Sequence, residues 1–353
     1  MQYVCDFMDF PETTDEEFER IFMHVLNQGT KDNTYKFAFA RFLLEYSQIK
    51  TETHVEFSTI AEYYLKYYWP QVCNSKLRQS PRKSPEVIQI IENEFDKPYY
   101  PQTFDKIKQE EPVKIANCVK NIVKKCFEHV TYAFQNVKIG DETIDKAPIF
   151  FEYKIRGFKK RYDREKDTPL IDRDYGINLN PDAMSFFKRR SVSLNKAVTL
   201  EWARFLEEIN VGAPKLIAKI EGKIPSRDLT TERDELEPFE KNCFYCKTLL
   251  ETAEINVEHV IPFSYIMENE MWNLTLVCKQ CNCKKLGSLP SPKEKWLGKL
   301  FERNKKYRDK IVSKSDVKVL DKSLKRLGDK HESIIEIRYD NAEDLGFLLI
   351  SMD

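Results

Sequence analysis

The chain lacks an excess of charge of either sign: 57 lysines and arginines balance 57 aspartates and glutamates. That excludes a uniformly basic nucleic-acid binder, so any surface that grips phosphate has to be local. No apolar run is long enough to span a bilayer, and no membrane partner is expected. The opening MQYVCDFMDFPETTDEEFER is acidic and has no basic segment ahead of an apolar core, so no signal peptide is expected and the expected compartment is the cytoplasm. Internal repeats and low-complexity tracts are missing too. So is a G-x-x-x-x-G-K-[ST] phosphate loop, which argues against an NTP-driven motor. What is there is 353 residues, 41% hydrophobic and 32% charged, the composition of a globular chain with two or three domains and a real core.

Nine cysteines are present. An odd count with a metal-type pattern favours a reducing compartment over a disulfide framework. Cys5, Cys73, Cys118 and Cys126 are scattered. Cys243 with Cys246, and Cys278 with Cys281, form two C-x-x-C pairs. Four thiolates in two such knuckles can close a tetrahedral Zn²⁺ site that supplies folding energy. Cys283 is a spare thiol that could substitute, although Cys278 and Cys281 make the better knuckle.

The gap between the knuckles is longer than a minimal zinc ribbon needs. The insert reads as strand, loop, strand, helix. Ile255–Val260 alternates apolar and polar residues with β-branched ones, and Pro262 ends it. Leu274–Val277 is a second short strand, and a helix starts near Lys279 and stops by Gly287 and Pro290. In that layout His259 closes the first strand, Asn273 opens the second, and Asn282 sits in the first helical turn.

The pattern E-H-V-I-P … W-N-L-x-L-x-C-x-x-C-N-x-x-K resembles the HNH nuclease family, with its ββα-metal finger and, in many members, a four-cysteine zinc site. The resemblance implies that His259 takes a proton from the attacking water. Glu258 and Asn282 resemble ligands of one Mg²⁺ (or Mn²⁺), and Asn273 the residue that fixes the loop and orients His259. Many family members carry Asp where Glu258 stands. The chemistry is coherent without the family name. Phosphodiester hydrolysis needs a base with pKa near 7, which histidine supplies, and a hard cation on oxygen ligands. Lys284 and Lys285 could hold flanking phosphates as point charges. Four cysteines alone would equally suit a purely structural ribbon. The polar set between and after them is what a ribbon has no need of.

Elsewhere the periodicity predicts helices. They begin at Thr13–Glu17, run over Tyr35–Ser47, from Ser58 to Trp69, over Pro85–Phe95 and as one long helix over Pro112–Phe134. Tyr63, Tyr64, Tyr67, Tyr68 and Trp69 are read as core rather than as a base-stacking platform. Ile149–Ile155 reads as a strand leading into a basic patch, Arg156–Arg164, and Ile177–Leu179 as another strand. Pro181–Arg190 and Leu194–Asn210 read as two helices, the second expected to pack on the cysteine module. Ser226–Glu237 reads as a charged linker, Lys293–Lys310 as a basic helix suited to phosphate, Ile334–Ile337 as β-like and Asn341–Leu349 as helical.

The expected fold is mainly α with an embedded ββα-metal, treble-clef-like zinc module, α+β overall. Three parts are expected: a helical domain over 1–225 for target, partner or dimer recognition; the HNH module over 226–292; and a basic helical extension over 293–353. The resemblance implies metal-dependent hydrolysis of DNA, duplex DNA foremost, and a wider similarity to bacterial restriction or anti-phage HNH proteins suggests a defence role. A homodimer or a defence-system partner would fit. A silent zinc-stabilised module binding nucleic acid or protein, or an RNA-cutting effector activated by a partner, is the alternative.

Overall fold

The computed structural model describes residues 10–28, 32–95, 103–135, 137–139, 142–144, 149–153, 176–223, 228–250, 255–311 and 318–353. Two compact units emerge: Met1–Cys73 with Arg78–Ile209, and Asn74–Leu77 with Asn210–Asp353. Helices dominate and the sheets are small, so the expected mainly-α class holds.

The first unit is built on two helices, α2 (Tyr35–Ile49) and α8 (Pro181–Ile209), which pack along each other. Around them lie α1 (Asp15–Gln28), α3 (Phe57–Trp69), α4 (Glu86–Glu94), α5 (Phe104–Glu110), α6 (Pro112–Lys125) and α7 (Phe127–Gln135). A short sheet joins β1 (His54–Glu56), β5 (Gly176–Leu179) and β4 (Phe151–Tyr153), all antiparallel. Gly176 is needed there: a Cβ would lie 1.9 Å from the Val55 carbonyl oxygen. A second pair, β2 (Val137–Ile139) and β3 (Glu142–Ile144), is also antiparallel.

Aromatic rings fill this core. Phe37 stacks on Trp202 at 6.1 Å, Tyr68 meets Trp202 edge-on at 5.8 Å, and Phe22 lies 5.4 Å from Phe187. Tyr64, Tyr67, Tyr68 and Trp69 are buried, as a core assignment requires. The predicted pair of helices over Pro181–Asn210 is instead one continuous helix. Lys188, Arg189 and Arg190 look like a helix end, but no glycine or proline follows them, and Ser191 and Leu194 are buried in the same run. Its apolar face packs along α2 within this unit. Conversely, Pro112–Phe134 is broken at Cys126 into α6 and α7. The basic patch Arg156–Arg164 lies outside the described residues.

The second unit contains α9 (Leu216–Glu221), α10 (Thr230–Leu236), β6 (Ile255–His259), α11 (Phe263–Ile266), β7 (Leu274–Cys278), α12 (Lys279–Lys285), β8 (Leu289–Ser291), α13 (Lys293–Ile311), α14 (Lys318–Lys325), α15 (His331–Asp344) and β9 (Leu349–Ser351). β6 and β7 pair antiparallel, with Glu258 opposite Thr275 and His259 opposite Leu274. α12 packs on both strands, which completes the ββα layout. β8 and β9 pair in parallel. Their core gathers Trp272, Leu274, Leu276, Trp296, Leu300, Ile335 and Tyr339.

Three expectations are corrected here. The supposed linker contains α10, because Leu236 is an apolar anchor that is fully buried. The β-like Ile334–Ile337 is helical within α15: Ile335 is buried, whereas Ile337 is exposed. The helix predicted over Asn341–Leu349 ends at Asp344. Gly346 adopts φ +82° and turns the chain into β9.

Candidate metal centre and adjoining polar site

The first knuckle is a tight turn. Cys243 N–H donates to the Thr248 carbonyl (2.8 Å), Lys247 N–H donates to the Cys243 carbonyl (3.0 Å), and Lys247 takes φ +65° to close it. Phe244 N–H donates to Leu276 O of β7 (2.9 Å), which seats the turn on the hairpin. The second knuckle straddles the end of β7 and the first turn of α12. It delivers Cys278 and Cys281 to the same point.

The four sulfurs lie within 4.8 Å of one another, and Cys246 Sγ and Cys278 Sγ are 3.7 Å apart. A tetrahedron with Zn–S bonds of about 2.3 Å has sulfurs about 3.8 Å apart, so the donor set fits Zn²⁺. Among the described residues no other group of three or more His, Cys, Asp or Glu side chains has metal-binding proximity. Burial raises the Cys243 and Cys281 thiols above the ordinary cysteine range. Zinc binding must therefore expel their protons. Cys283 is exposed and is not part of the cluster.

His259 and Asn273 lie at the end of the β6–β7 pair opposite Cys278. His259 is 6% exposed. Its Nε2 lies 3.3 Å from Asn269 Oδ1, and its ring meets Phe263 at 5.1 Å. This contact and the Phe263 ring restrain the orientation of the imidazole. Asn269 was missed by sequence reasoning, since nothing in the loop pattern singles it out.

Asn273 is fully buried and binds the backbone just past His259. Its Oδ1 accepts from Ile261 N–H and its Nδ2 donates to Ile261 O, both at 2.8 Å. Its own carbonyl accepts from Val260 N–H (2.9 Å). The loop carrying Asn273 is in turn gripped from the C-terminal helices. Arg303 on α13 donates to Met271 O (2.9 Å) and to Glu240 (2.6 Å), and Asn304 donates to Trp272 O (3.0 Å). Ser323 and Arg326 both donate to the buried Glu270, each at 2.5 Å.

Glu258 is partly exposed and bonded to Lys285, whose Nζ donates to Glu258 Oε1 and to the His259 carbonyl, both at 2.7 Å. Lys285 is fully buried, so the expectation that it grips a flanking phosphate is corrected: its ammonium faces inward. Its sequence position at the helix end gave no hint of this, because burial there depends on β6 lying beneath it. Lys284 is exposed and donates to Asp353 O (3.1 Å). Asn282 is half-buried and stands one turn before Lys285, on the same face of α12.

The basic run on α13 is less free than its composition implied. Lys293 pairs with Asp340, Arg303 with Glu240 and Arg308 with Asp321, and Lys295 bonds Asp353. Lys305 and Lys306 are exposed.

Another buried cation, Lys219 on α9, donates to Tyr265 O (2.6 Å) and Pro214 O (2.7 Å). Burial, with Arg338 nearby as a smaller cause, lowers its pKa to about 7.

Two family models match the chain. One, described as Domain of unknown function (DUF8808), matches residues 15–219, more than half of the chain, and the chain belongs to that family. The other, HNH endonuclease, matches residues 243–291, a stretch holding all four cysteines and the polar set. Together with the sulfur cluster, that match fits an HNH-type zinc module. No curated protein and no solved structure matches the chain. No described helix is long and apolar enough to cross a membrane.

Proposed function

We propose that the second unit is a divalent-metal-dependent endonuclease that hydrolyses phosphodiester bonds in DNA. The observation that carries the reading is the two-sided amide clamp of Asn273 on Ile261. It anchors the chain two residues past His259 to the second strand of the finger. A clamp of that kind holds a base in one orientation, which a passive ribbon does not need.

In this reading His259 is the general base. Asn269, 3.3 Å from Nε2, would help to hold the ring in place while it takes the proton from water. Glu258 and Asn282 would hold Mg²⁺ or Mn²⁺ through a carboxylate and an amide oxygen, the hard donors such ions take. The ion would stabilise charge on the scissile phosphate and leaving oxygen. Glu258 Oε1 is engaged by Lys285, so its other oxygen is the one offered. Lys284 would meet a flanking phosphate. Cys243, Cys246, Cys278 and Cys281 would hold the structural Zn²⁺. The helical first unit would recognise the target, a partner or a second copy, and the basic helices after residue 292 would extend the phosphate surface. A cytoplasmic restriction or anti-phage role fits a DNA-cutting module joined to a separate recognition unit.

A second reading, a silent zinc-stabilised module that only binds, draws on the Lys285–Glu258 ion pair, since an engaged carboxylate is a poorer ligand. The test is cleavage of supercoiled plasmid, linear duplex, single-stranded DNA and RNA by the purified full chain with Mg²⁺, Mn²⁺ or EDTA. The expected result is metal-dependent cutting of DNA, reduced about 10²- to 10⁴-fold in His259→Ala, which removes a general base. Cutting of RNA alone would move the substrate to RNA. Cutting at parental rate by the variant would reject the mechanism.

A further inference from the structure

We propose that Lys285 is a built-in counter-ion that keeps the divalent ion weakly held until nucleic acid arrives, so that metal and substrate bind cooperatively. This rests on the assignment of Glu258 as a metal ligand. The ammonium is fully buried and fixed by two 2.7 Å bonds, to Glu258 Oε1 and to His259 O. It thus touches both residues of the Glu258–His259 pair while belonging to the helix that bears Asn282.

Two consequences follow. The first is positional. Lys285 ties the end of β6 to α12, the helix that carries Asn282 one turn earlier on the same face. The second is electrostatic. Glu258 contributes one negative charge, Lys285 one positive charge, and Asn282 none. The three together are neutral, whereas a divalent ion is held by net negative ligands. The lysine cannot swing away into water as a surface lysine would, because it is enclosed and its second bond is to backbone. The missing negative charge has to come from the phosphate of the substrate. A nuclease built this way holds little metal at rest and completes its site on the nucleic acid.

The test reads metal binding and not cutting. Mn²⁺ is titrated by electron paramagnetic resonance into zinc-loaded His259→Ala protein, with and without a short DNA duplex, against the duplex alone. His259→Ala leaves the duplex uncut and retains the backbone carbonyl that Lys285 bonds. The expected result is that the duplex tightens Mn²⁺ binding by roughly tenfold or more, a factor of ten being one decade in Kd. Adding Glu258→Gln should abolish that binding, which locates the ion. Adding Lys285→Met should tighten Mn²⁺ on the free protein and shrink the effect of the duplex, while Lys285→Arg should preserve the coupling.

Equal Mn²⁺ affinity with and without duplex overturns the proposal, as does a folded Lys285→Met protein that binds Mn²⁺ no more tightly. If Lys285→Met loses its zinc or its helical circular dichroism, the titration of the Lys285-containing protein decides alone. No site-bound Mn²⁺ under either condition would sink the metal-site reading itself, and the Lys285 proposal with it. Bound but uncoupled Mn²⁺ would sink only the latter.

Discussion

The two units are held together by different means. In the first, the centre is a set of rings: Trp202 against Phe37 and Tyr68, and Phe22 against Phe187 and Phe150. In the second, the hydrophobic cluster is laced with charge. Arg303 reaches Glu240, Lys285 reaches Glu258, Arg326 reaches Glu270, and Lys219 is buried against the Tyr265 and Pro214 carbonyls. A ring core gains its stability from area and shape. A charged core gains little net energy from its pairs, because desolvation offsets attraction, but losing one partner is costly. A metal on the thiolate cluster would add folding energy to what the hydrophobic cluster of this unit provides. The polar ties gather around His259, the base of the proposed mechanism, where a fixed position matters more than net energy.

That contrast breaks most sharply on metal removal. A strong chelator, or Cys278→Ala, should unfold the second unit, since a structural Zn²⁺ site contributes on the order of 10 kcal/mol of apparent folding energy. The first unit should keep its helical signal. Metal analysis with calorimetry of the full chain checks this. A Cys278→Ala protein that retains zinc and its melting profile would remove the four-cysteine site from the account. Because burial raises the Cys243 and Cys281 thiols, zinc loss should also come more easily as pH falls.

The converse experiment attacks the ring core. Trp202→Ala should cost about 3–5 kcal/mol, the range for truncating a buried aromatic. Trp202 is fully buried between α8 and α2, touching both Phe37 and Tyr68. Zinc content should not change. A zinc-depleted Trp202→Ala protein would show that the units are not energetically separable.

Asn273→Ala sharpens the comparison within the second unit. It leaves the Ile261 N–H and C=O buried and unpaired, a loss of roughly 2–4 kcal/mol by the cost of unsatisfied groups. Zinc should remain bound, and any cleavage activity should fall more than stability does, because the clamp sits beside His259. Denaturant melts and rate measurements on the same preparation separate the two effects. Equal activity would make the clamp purely structural.

How much of this was legible beforehand follows the same divide. The finger was readable because its signals are local: alternation over Ile255–His259, the stop at Pro262, two C-x-x-C knuckles, and β7 running straight into α12. The helices of the first unit were readable from 3.6-residue periodicity, although Lys188–Arg190 suggested an end that the continuous burial of α8 overrode. What was hidden is non-local. Lys285 looked like a surface lysine until β6 was placed under it. Glu240 and Arg303, 63 residues apart in the chain, gain their roles only from the fold that pairs them. Ile334–Ile337 read as a strand because three isoleucines are β-formers, yet its neighbours made the helix win.

The smallest effect concerns Lys219, and it tests whether charge in the second core is tolerated or only endured. Its ammonium is buried against two carbonyls, Tyr265 O and Pro214 O, and burial brings its pKa down to about 7. In the unfolded chain the same amine titrates near 10.5. Between those values the unfolded state holds the proton and the folded state does not, so the unfolded state binds more protons and stability rises with pH. Below about pH 7 both states are charged and the penalty is fully present. Moving from pH 7 to 8.5 should therefore raise the second unit's stability by on the order of 1 kcal/mol. Lys219→Met should flatten that rise, while the first unit's melt serves as the internal reference. An unchanged pH slope in the variant would mean that Lys219 stays protonated in the fold, with its two carbonyl bonds offsetting the whole cost of burial.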